Sequence, residues 1–240
     1  IIGNIAILKF KDESNKEKKQ ISAEMMNSRQ SIKTILEKTE KIKGRLRTYK
    51  VKWLAGKKTK ETLHKENGCL FKLDVEKCYF SPRLSNERLE IAKKIKSKDS
   101  VLVLFAGIAP FSVIIAKISK AKKVVSVELN RTASKYAEEN VKLNKLNNIK
   151  VIQKDAKKLN LREKFDVIVM PRPQLKETFL KTAFLHSKKS TKIFYYAFGK
   201  KENLILEELM QEAKKLKKKI KILSIRKAGE IAPYKFRWLV

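Results

Sequence analysis

The sequence predicts an α/β chain: a mostly parallel sheet with helices on both faces and an antiparallel hairpin at one edge, preceded by a small α+β domain. Three observations carry this. DSVLVLF (99–105) is a near-continuous apolar run, as a strand covered on both faces should be. From there strand and helix patterns alternate, which implies parallel pairing through helical crossovers. The last two strand patterns, 219–226 and 234–240, have no helix between them, so they form an antiparallel pair. At 240 residues and 42% hydrophobic, the chain can bury one full domain plus a smaller one.

The front part, 1–75, reads as the small α+β domain, and 76–240 as the larger one. Residues 1–10 (IIGNIAILKF) pattern as a strand around a Gly-Asn turn. Residues 21–39 place Met25, Ile32, Ile35 and Leu36 at loosely helical spacing, which predicts a helix. Gly44 and Gly56 punctuate the next stretch. KETLHKENGCLFKLDV (60–75) predicts a hairpin on Asn67-Gly68, a type I′ turn signal between alternating runs. In the second part the expected order is strand 99–105, helix 110–119, strand 123–129, helix 131–144, strand 149–153, strand 165–170, helix 174–186, strand 191–197 and helix 202–218, then the closing pair.

The formal net charge is +33, which asks for a polyanion, nucleic acid before an anionic membrane. The excess is mostly lysine, a bias that also has causes unrelated to binding. No apolar run approaches the ~18 residues of a membrane span. Cys69 and Cys78 form no CxxC pair and only His64 and His186 could join them as ligands, so no metal site is expected. Two isolated cysteines suit a reducing, cytoplasmic compartment.

Chemistry concentrates where successive strands end. Phe105-Ala106-Gly107-Ile108-Ala109-Pro110-Phe111-Ser112 joins the first buried strand to a helix. Its small residues admit close backbone approach, and the helix start offers free N–H groups. It lacks the three glycines of a pyrophosphate cradle. Val127-Glu128-Leu129-Asn130 closes the second strand, where Glu128 can accept hydrogen bonds from ribose hydroxyls or, alternatively, cap the next helix. Asp155 in Gln153-Lys154-Asp155-Ala156 follows the third strand and is placed to accept an adenine amino group. The fourth strand runs into Pro171-Arg172-Pro173, whose prolines stiffen the backbone and remove two donors. Together the three strand ends point to an adenosine-containing cofactor, and the edge hairpin to a methyltransferase.

The segments KGRLRTYKVKWLAG (43–56), HKENGCLFKLDVEKCYFSPRLSNER (64–88), LFAGIAPFS (104–112), VELN (127–130) and MPRP (170–173) resemble the archaeal and eukaryotic tRNA (guanine-37-N1)-methyltransferases. The resemblance covers 43–240 well, 1–42 loosely. Its Met-Pro-x-Pro variant is similar to an archaeal subgroup, some of whose members also methylate C7 of 4-demethylwyosine. The resemblance implies a class I S-adenosylmethionine-dependent methyltransferase fold, S-adenosylmethionine as cofactor, and tRNA as partner, bound at the anticodon stem-loop around G37. Apart from the resemblance, a monomer is expected. It implies that Glu87 is the general base and that Arg47 contacts the target guanine. Tyr79, Phe80 and Arg83 would line the cofactor and base pocket, joined in cofactor binding by Phe105, Ala106, Gly107, Glu128, Asn130, Asp155, Ala156 and Pro171. From spacing alone, Glu87 reads as an i,i+4 partner of Arg83, so its role as a base rests on the resemblance. Tyr196 reads as core rather than as a stacking platform.

Three departures stand out. Val103 occupies the position of the family's usual first-strand acid, Ala109 stands in place of a second glycine in the loop, and Pro171 stands where many members carry an asparagine. Two alternatives stay open: a wybutosine-pathway aminocarboxypropyl transferase using the same cofactor, and a non-catalytic RNA-binding protein of the same fold.

Overall fold

The computed structural model describes residues 1–42, 44–171 and 177–240. The front sheet contains β1 (Ile5–Leu8), β2 (Thr34–Lys38) and β3 (Val51–Gly56), with β1 parallel and β3 antiparallel to β2. Helix α1 (Asn15–Ser28) covers one face. Adjacent residues point to opposite faces with the strand period of two. Ile35 and Ala6 join the small cluster with Met25 and Met26, whereas Leu36 and Ile5 join the main core.

The expected helix over 21–39 is therefore corrected. The helix starts earlier, at a capping box in which Ser14 and Glu17 satisfy each other's backbone N–H groups. Ile35 and Leu36 belong to a strand buried on both sides, and such a strand mimics helical spacing over a few residues. The opening strand shrinks to Ile5–Leu8, because Gly3 takes φ +54° beside the hairpin that follows. A Cβ there would lie 2.2 Å from Thr62 Oγ1, so only glycine fits.

That hairpin, β4 (Glu61–Glu66) and β5 (Cys69–Asp74), turns on Asn67 and Gly68, both at positive φ, as the sequence predicts. It does not join the front sheet among the described residues; it lies against the helix that follows the second strand of the large sheet. Between hairpin and sheet sits α2 (Ser85–Lys93), preceded by a short 3-10 turn at Pro82–Leu84.

The large sheet holds β6 (Ser100–Leu104), β7 (Lys123–Glu128), β8 (Ile149–Gln153), β9 (Phe165–Met170), β10 (Ser187–Gly199), β11 (Arg226–Ala232) and β12 (Lys235–Leu239), in the order β11-β12-β10-β9-β6-β7-β8. Strands β6 to β10 are parallel; β12 runs antiparallel between β10 and β11. Helices α3 (Pro110–Ser119), α4 (Arg131–Leu143), α5 (Leu180–Leu185) and α6 (Glu202–Lys215) make the crossovers. Val101, Val103, Val124, Val167 and Val169 are buried toward one helical layer, and Leu102, Leu104, Val125, Val127 and Ile168 toward the other.

Two further expectations are corrected here. The edge hairpin exists, but its first strand is Arg226–Ala232 rather than 219–226. A two-residue turn at Pro233-Tyr234 pairs β12 with the residues immediately before it, and Lys219–Ile225 stay outside the sheet. Of the expected helix 174–186, residues 174–176 lie outside the described part, and the helix observed is Leu180–Leu185. No helix among the described residues is long and apolar enough to cross a membrane.

Candidate active site

The carboxyl ends of β6, β7 and β8 border one cleft beside the switch in strand order between β6 and β9. The loop after β6 is bent by three left-handed residues, Phe105, Gly107 and Ala109. Two of them are not glycine, a cost of order 1–2 kcal/mol each that the surrounding contacts must offset. Those contacts come from β7. Ala106 N donates to Val127 O (3.0 Å), and Gly107 N donates to Glu128 Oε2 (2.8 Å). Gly107 faces the Tyr79 carbonyl, which a Cβ would approach to 3.6 Å. Pro110 then starts α3 at a position where no N–H is needed.

Glu128 also accepts from Asn130 N (2.7 Å), so its two oxygens tie both loops to β7. The capping of α4 is done by Asn130, whose Oδ1 accepts from Thr132 N and Ala133 N while its Nδ2 donates to Lys77 O (2.8 Å). The Asn130 amide thus holds the Lys77–Tyr79 segment against the cleft while it caps α4.

Asp155 accepts from Lys157 N and from Arg45 Nη2 (2.6 Å), an arginine 110 residues away on the front-domain loop. Burial would raise its pKa, but the Arg45 and Lys157 hydrogen bonds outweigh it and hold the carboxyl below its usual range. Phe105, Val127, Leu129, Ala156 and Phe179 complete a small apolar pocket around Arg45 and Asp155. Phe105 and Phe179 meet edge to face, 5.0 Å between centroids. The slot is walled by aromatic and aliphatic groups, with the Asp155 carboxylate at one end and Glu128 on the neighbouring strand. Pro171 follows the buried end of β9; Arg172–Lys176 lie outside the described residues.

The second half of the site is built on α2. Glu87 does not pair with Arg83, which is exposed. Its Oε1 accepts from Arg226 Nη1 (2.8 Å), and its Oε2 from Arg226 Nη2 (3.0 Å) and Tyr196 OH (2.9 Å). Arg226 also reaches Glu90 (2.5 Å), and these bonds raise its pKa. Burial, then the Glu87 carboxylate, pushes the Tyr196 phenol far above its ordinary range. Tyr196 is core, as expected, but its hydroxyl faces the site. Its ring meets Phe111, at the start of α3, with centroids 5.9 Å apart. One aromatic pair therefore separates Glu87 from the Gly107 loop.

Glu87 is aimed by its neighbour. Arg88, fully buried, makes a bidentate pair with Glu66 of β4 (2.5 and 2.6 Å) and donates to Ser81 O. Burial would raise the Glu66 pKa; the His64 and Arg88 hydrogen bonds bring it below the usual value. Asn67 Nδ2 donates to Ser85 O and Oγ at the start of α2. The HKENG and SPRLSNER segments thus clasp each other. Phe80 lies inside this clasp, against His64, Phe71 and Arg88, and not in the cleft. Arg47, at φ +56°, stacks its guanidinium on Tyr79, 4.1 Å from the ring centroid.

Sequence reasoning missed Arg45, Arg226 and the Glu66–Arg88 pair. Only the alternating charges of HKENG and SPRLSNER hinted at the last.

Fold and cleft define a class I, S-adenosylmethionine-type methyltransferase. Residues 62–225 match the TRM5/TYW2 methyltransferase domain, and residues 1–59 the TYW2 N-terminal domain. The chain belongs to the TRM5/TYW2 methyltransferase family. It is 37% identical over 98% of its length to the tRNA (guanine(37)-N(1))-methyltransferase Trm5b of Pyrococcus abyssi, covering 71% of that protein. The crystal structure of that Trm5b superposes with a TM-score of 0.89 over the whole chain and 72% of its own. The chain is also 38% identical, over 88% of its length and 80% of the relative's, to a tRNA(Phe) (4-demethylwyosine(37)-C(7)) aminocarboxypropyltransferase of Methanocaldococcus jannaschii. A complex of aTrm5 with tRNALeu matches the whole chain and 69% of that chain at 30% identity, with a TM-score of 0.89.

Proposed function

We infer that this protein methylates N1 of guanine 37 in tRNA, with S-adenosylmethionine as donor. The observation that carries the reading is the placement of Glu87. A carboxylate held by two partners stands one aromatic contact from the loop after β6, whose Gly107 in turn faces Tyr79, the ring on which Arg47 stacks.

The Gly107 backbone, Glu128 toward the ribose, and Asp155 with Phe105 and Ala156 around the adenine would hold the cofactor. When bound, it supplies an electrophilic methyl group. This chain's residues do the rest. Guanine N1 carries a proton at neutral pH and must lose it as the new bond forms; Glu87 accepts it. Charge then grows on O6, where Arg47 donates. Lysines supply affinity for phosphates, in keeping with the +33 charge, and binding should weaken as salt rises. The base reaches the pocket only when extruded from its stack.

A second reading is aminocarboxypropyl transfer to the same nucleotide. It draws support from the Methanocaldococcus relative and from the N-terminal match over residues 1–59. One experiment separates the readings. A G37 tRNA transcript and a wyosine-precursor tRNA are incubated with labelled cofactor, digested, and analysed by mass spectrometry. 1-Methylguanosine from the first supports the main reading; an unmodified G37 beside an aminocarboxypropylated precursor replaces it with the second.

A further inference from the structure

We propose that Arg237 is a specificity-determining residue that reads the Watson–Crick edge of the target guanine alongside Glu87. Strand register places it there. In the edge sheet Arg226 and Tyr196 both lie opposite Leu239, and Arg237 lies opposite Phe198. Residues opposite one another share a face, and so do residues two apart on one strand. Arg237, Tyr196, Phe198 and Arg226 therefore occupy one face, the face whose Tyr196 hydroxyl and Arg226 fork hold Glu87.

Arg237 differs from Arg226 in having nothing to hold. Among the described residues it makes no hydrogen bond and no ion pair; its guanidinium rests over the Phe198 ring, 5.5 Å from the centroid. Gly229 lies alongside, and a Cβ there would come within 3.8 Å of Arg237 Nη1. Half-buried, the guanidinium has its pKa lowered by burial and by the charge of Arg47, while the Glu87 carboxylate and the Tyr79 and Tyr196 phenols also lie within its reach. An incompletely solvated cation with five donors and no acceptor is satisfied by a ligand that brings an acceptor oxygen.

Guanine brings one at the right place. Its N1–H and N2–H₂ donors adjoin the O6 acceptor, so a carboxylate and a guanidinium side by side complement that edge. Adenine presents the reverse at both positions, an acceptor at N1 and donors at N6. Arg47, stacked on Tyr79, approaches from the front-domain loop, whereas Arg237 approaches from the sheet. The inference rests on Glu87 acting at N1, so Glu87→Gln is measured in parallel.

The test compares wild type, Arg237→Gln, Arg237→Lys and Glu87→Gln on G37 and A37 transcripts. Filter binding is measured at several salt concentrations, and kcat and KM are measured on G37. The expected result for Arg237→Gln is equal affinity for G37 and A37, an unchanged salt slope, and kcat reduced roughly 100-fold, as for loss of one donor to a developing oxyanion. Arg237→Lys keeps the charge but loses the fork, so it restores overall affinity and not the discrimination. If Arg237→Gln weakens both transcripts equally and flattens the salt slope, the residue is a phosphate contact and the proposal falls. It falls also if both Arg237 variants keep discrimination and kcat while Glu87→Gln abolishes turnover. Should Glu87→Gln turn over normally, the N1 reading itself fails, whatever Arg237 does.

Discussion

The two halves of the site are assembled in different ways. The half proposed to hold the cofactor is made of short runs at three strand ends, and Glu128 there bonds locally, two residues ahead to Asn130 and 21 back to Gly107, although Asp155 also takes Arg45 from the front domain. The half proposed to take the base is made of single side chains from distant elements: Glu87 on α2, Tyr196 on β10, and Arg226 on β11, 139 residues from Glu87. A backbone-built half tolerates many side chains provided the turns survive. A side-chain-built half depends on each member. Substitutions should therefore separate binding from turnover.

The largest expected effect is on the second half. Glu87→Gln should lower kcat by about 10²–10⁴-fold, the usual contribution of a positioned base. Cofactor affinity should stay unchanged in calorimetry, because Glu87 does not touch the strand-end loops. A parallel loss of cofactor binding would break the division. Glu128→Gln should do the converse, weakening cofactor affinity about 10–100-fold, as for loss of a charge-assisted hydrogen bond, with kcat at saturation much less affected. Titration of cofactor against each variant reads this directly.

A smaller effect concerns the joint between hairpin and sheet domain. Asn140 Oδ1 accepts from Lys72 N (2.7 Å) and its Nδ2 donates to Lys72 O (3.1 Å); Asn144 does the same to Leu70 N and O (2.9 and 2.7 Å). Asn140→Ala should cost about 1–3 kcal/mol in urea unfolding, because the Lys72 backbone loses both partners in a half-buried place. Because Asn140 Nδ2 also donates to Ile108 O (3.1 Å) in the loop after β6, and the hairpin carries Glu66, both cofactor affinity and kcat should fall.

The smallest effect is at the far, amino-terminal end of β9. Hydrogen bonds from Lys188, then from Ser100, hold the Asp166 carboxyl at about 2, against an ordinary value of 3.8. A depressed folded-state pKa contributes stability above the unfolded value, and that contribution is lost as pH falls through the folded one. Thermal melts of wild type and Asp166→Asn should therefore differ above about pH 4 and converge toward pH 2. With both partners substantially exposed, the gap should be small.

The same contrast explains what could be read from sequence. Helix Pro110–Ser119 and strands Ile149–Gln153 and Phe165–Met170 fall at their expected bounds; Phe165–Met170, parallel and buried, writes itself as a nearly continuous apolar run. Gly107, Glu128 and Asp155 are legible for the same reason: they sit where such runs stop. Tyr196 and Arg226 are not. Nothing local to either records that Glu87 lies between them, since only the register of β12 against β10 and β11 brings them together. The misread helix over 21–39 failed on a different point, a two-sided buried strand whose Ile35 and Leu36 serve separate layers. Asn130 and Phe80, grouped with the cofactor residues by motif, stand behind the site as supports.

The paired asparagines of α4 have one more consequence. In a two-stranded hairpin every second residue of β5 turns its N–H and C=O outward, and such an open margin invites strands from other copies of the chain. Asn140 and Asn144, one helical turn apart, satisfy the outward groups of Lys72 and Leu70 with side-chain amides shaped like a peptide bond. The helix thereby plays the part of a missing neighbour strand and seals the margin, so the hairpin offers no template for aggregation along β5.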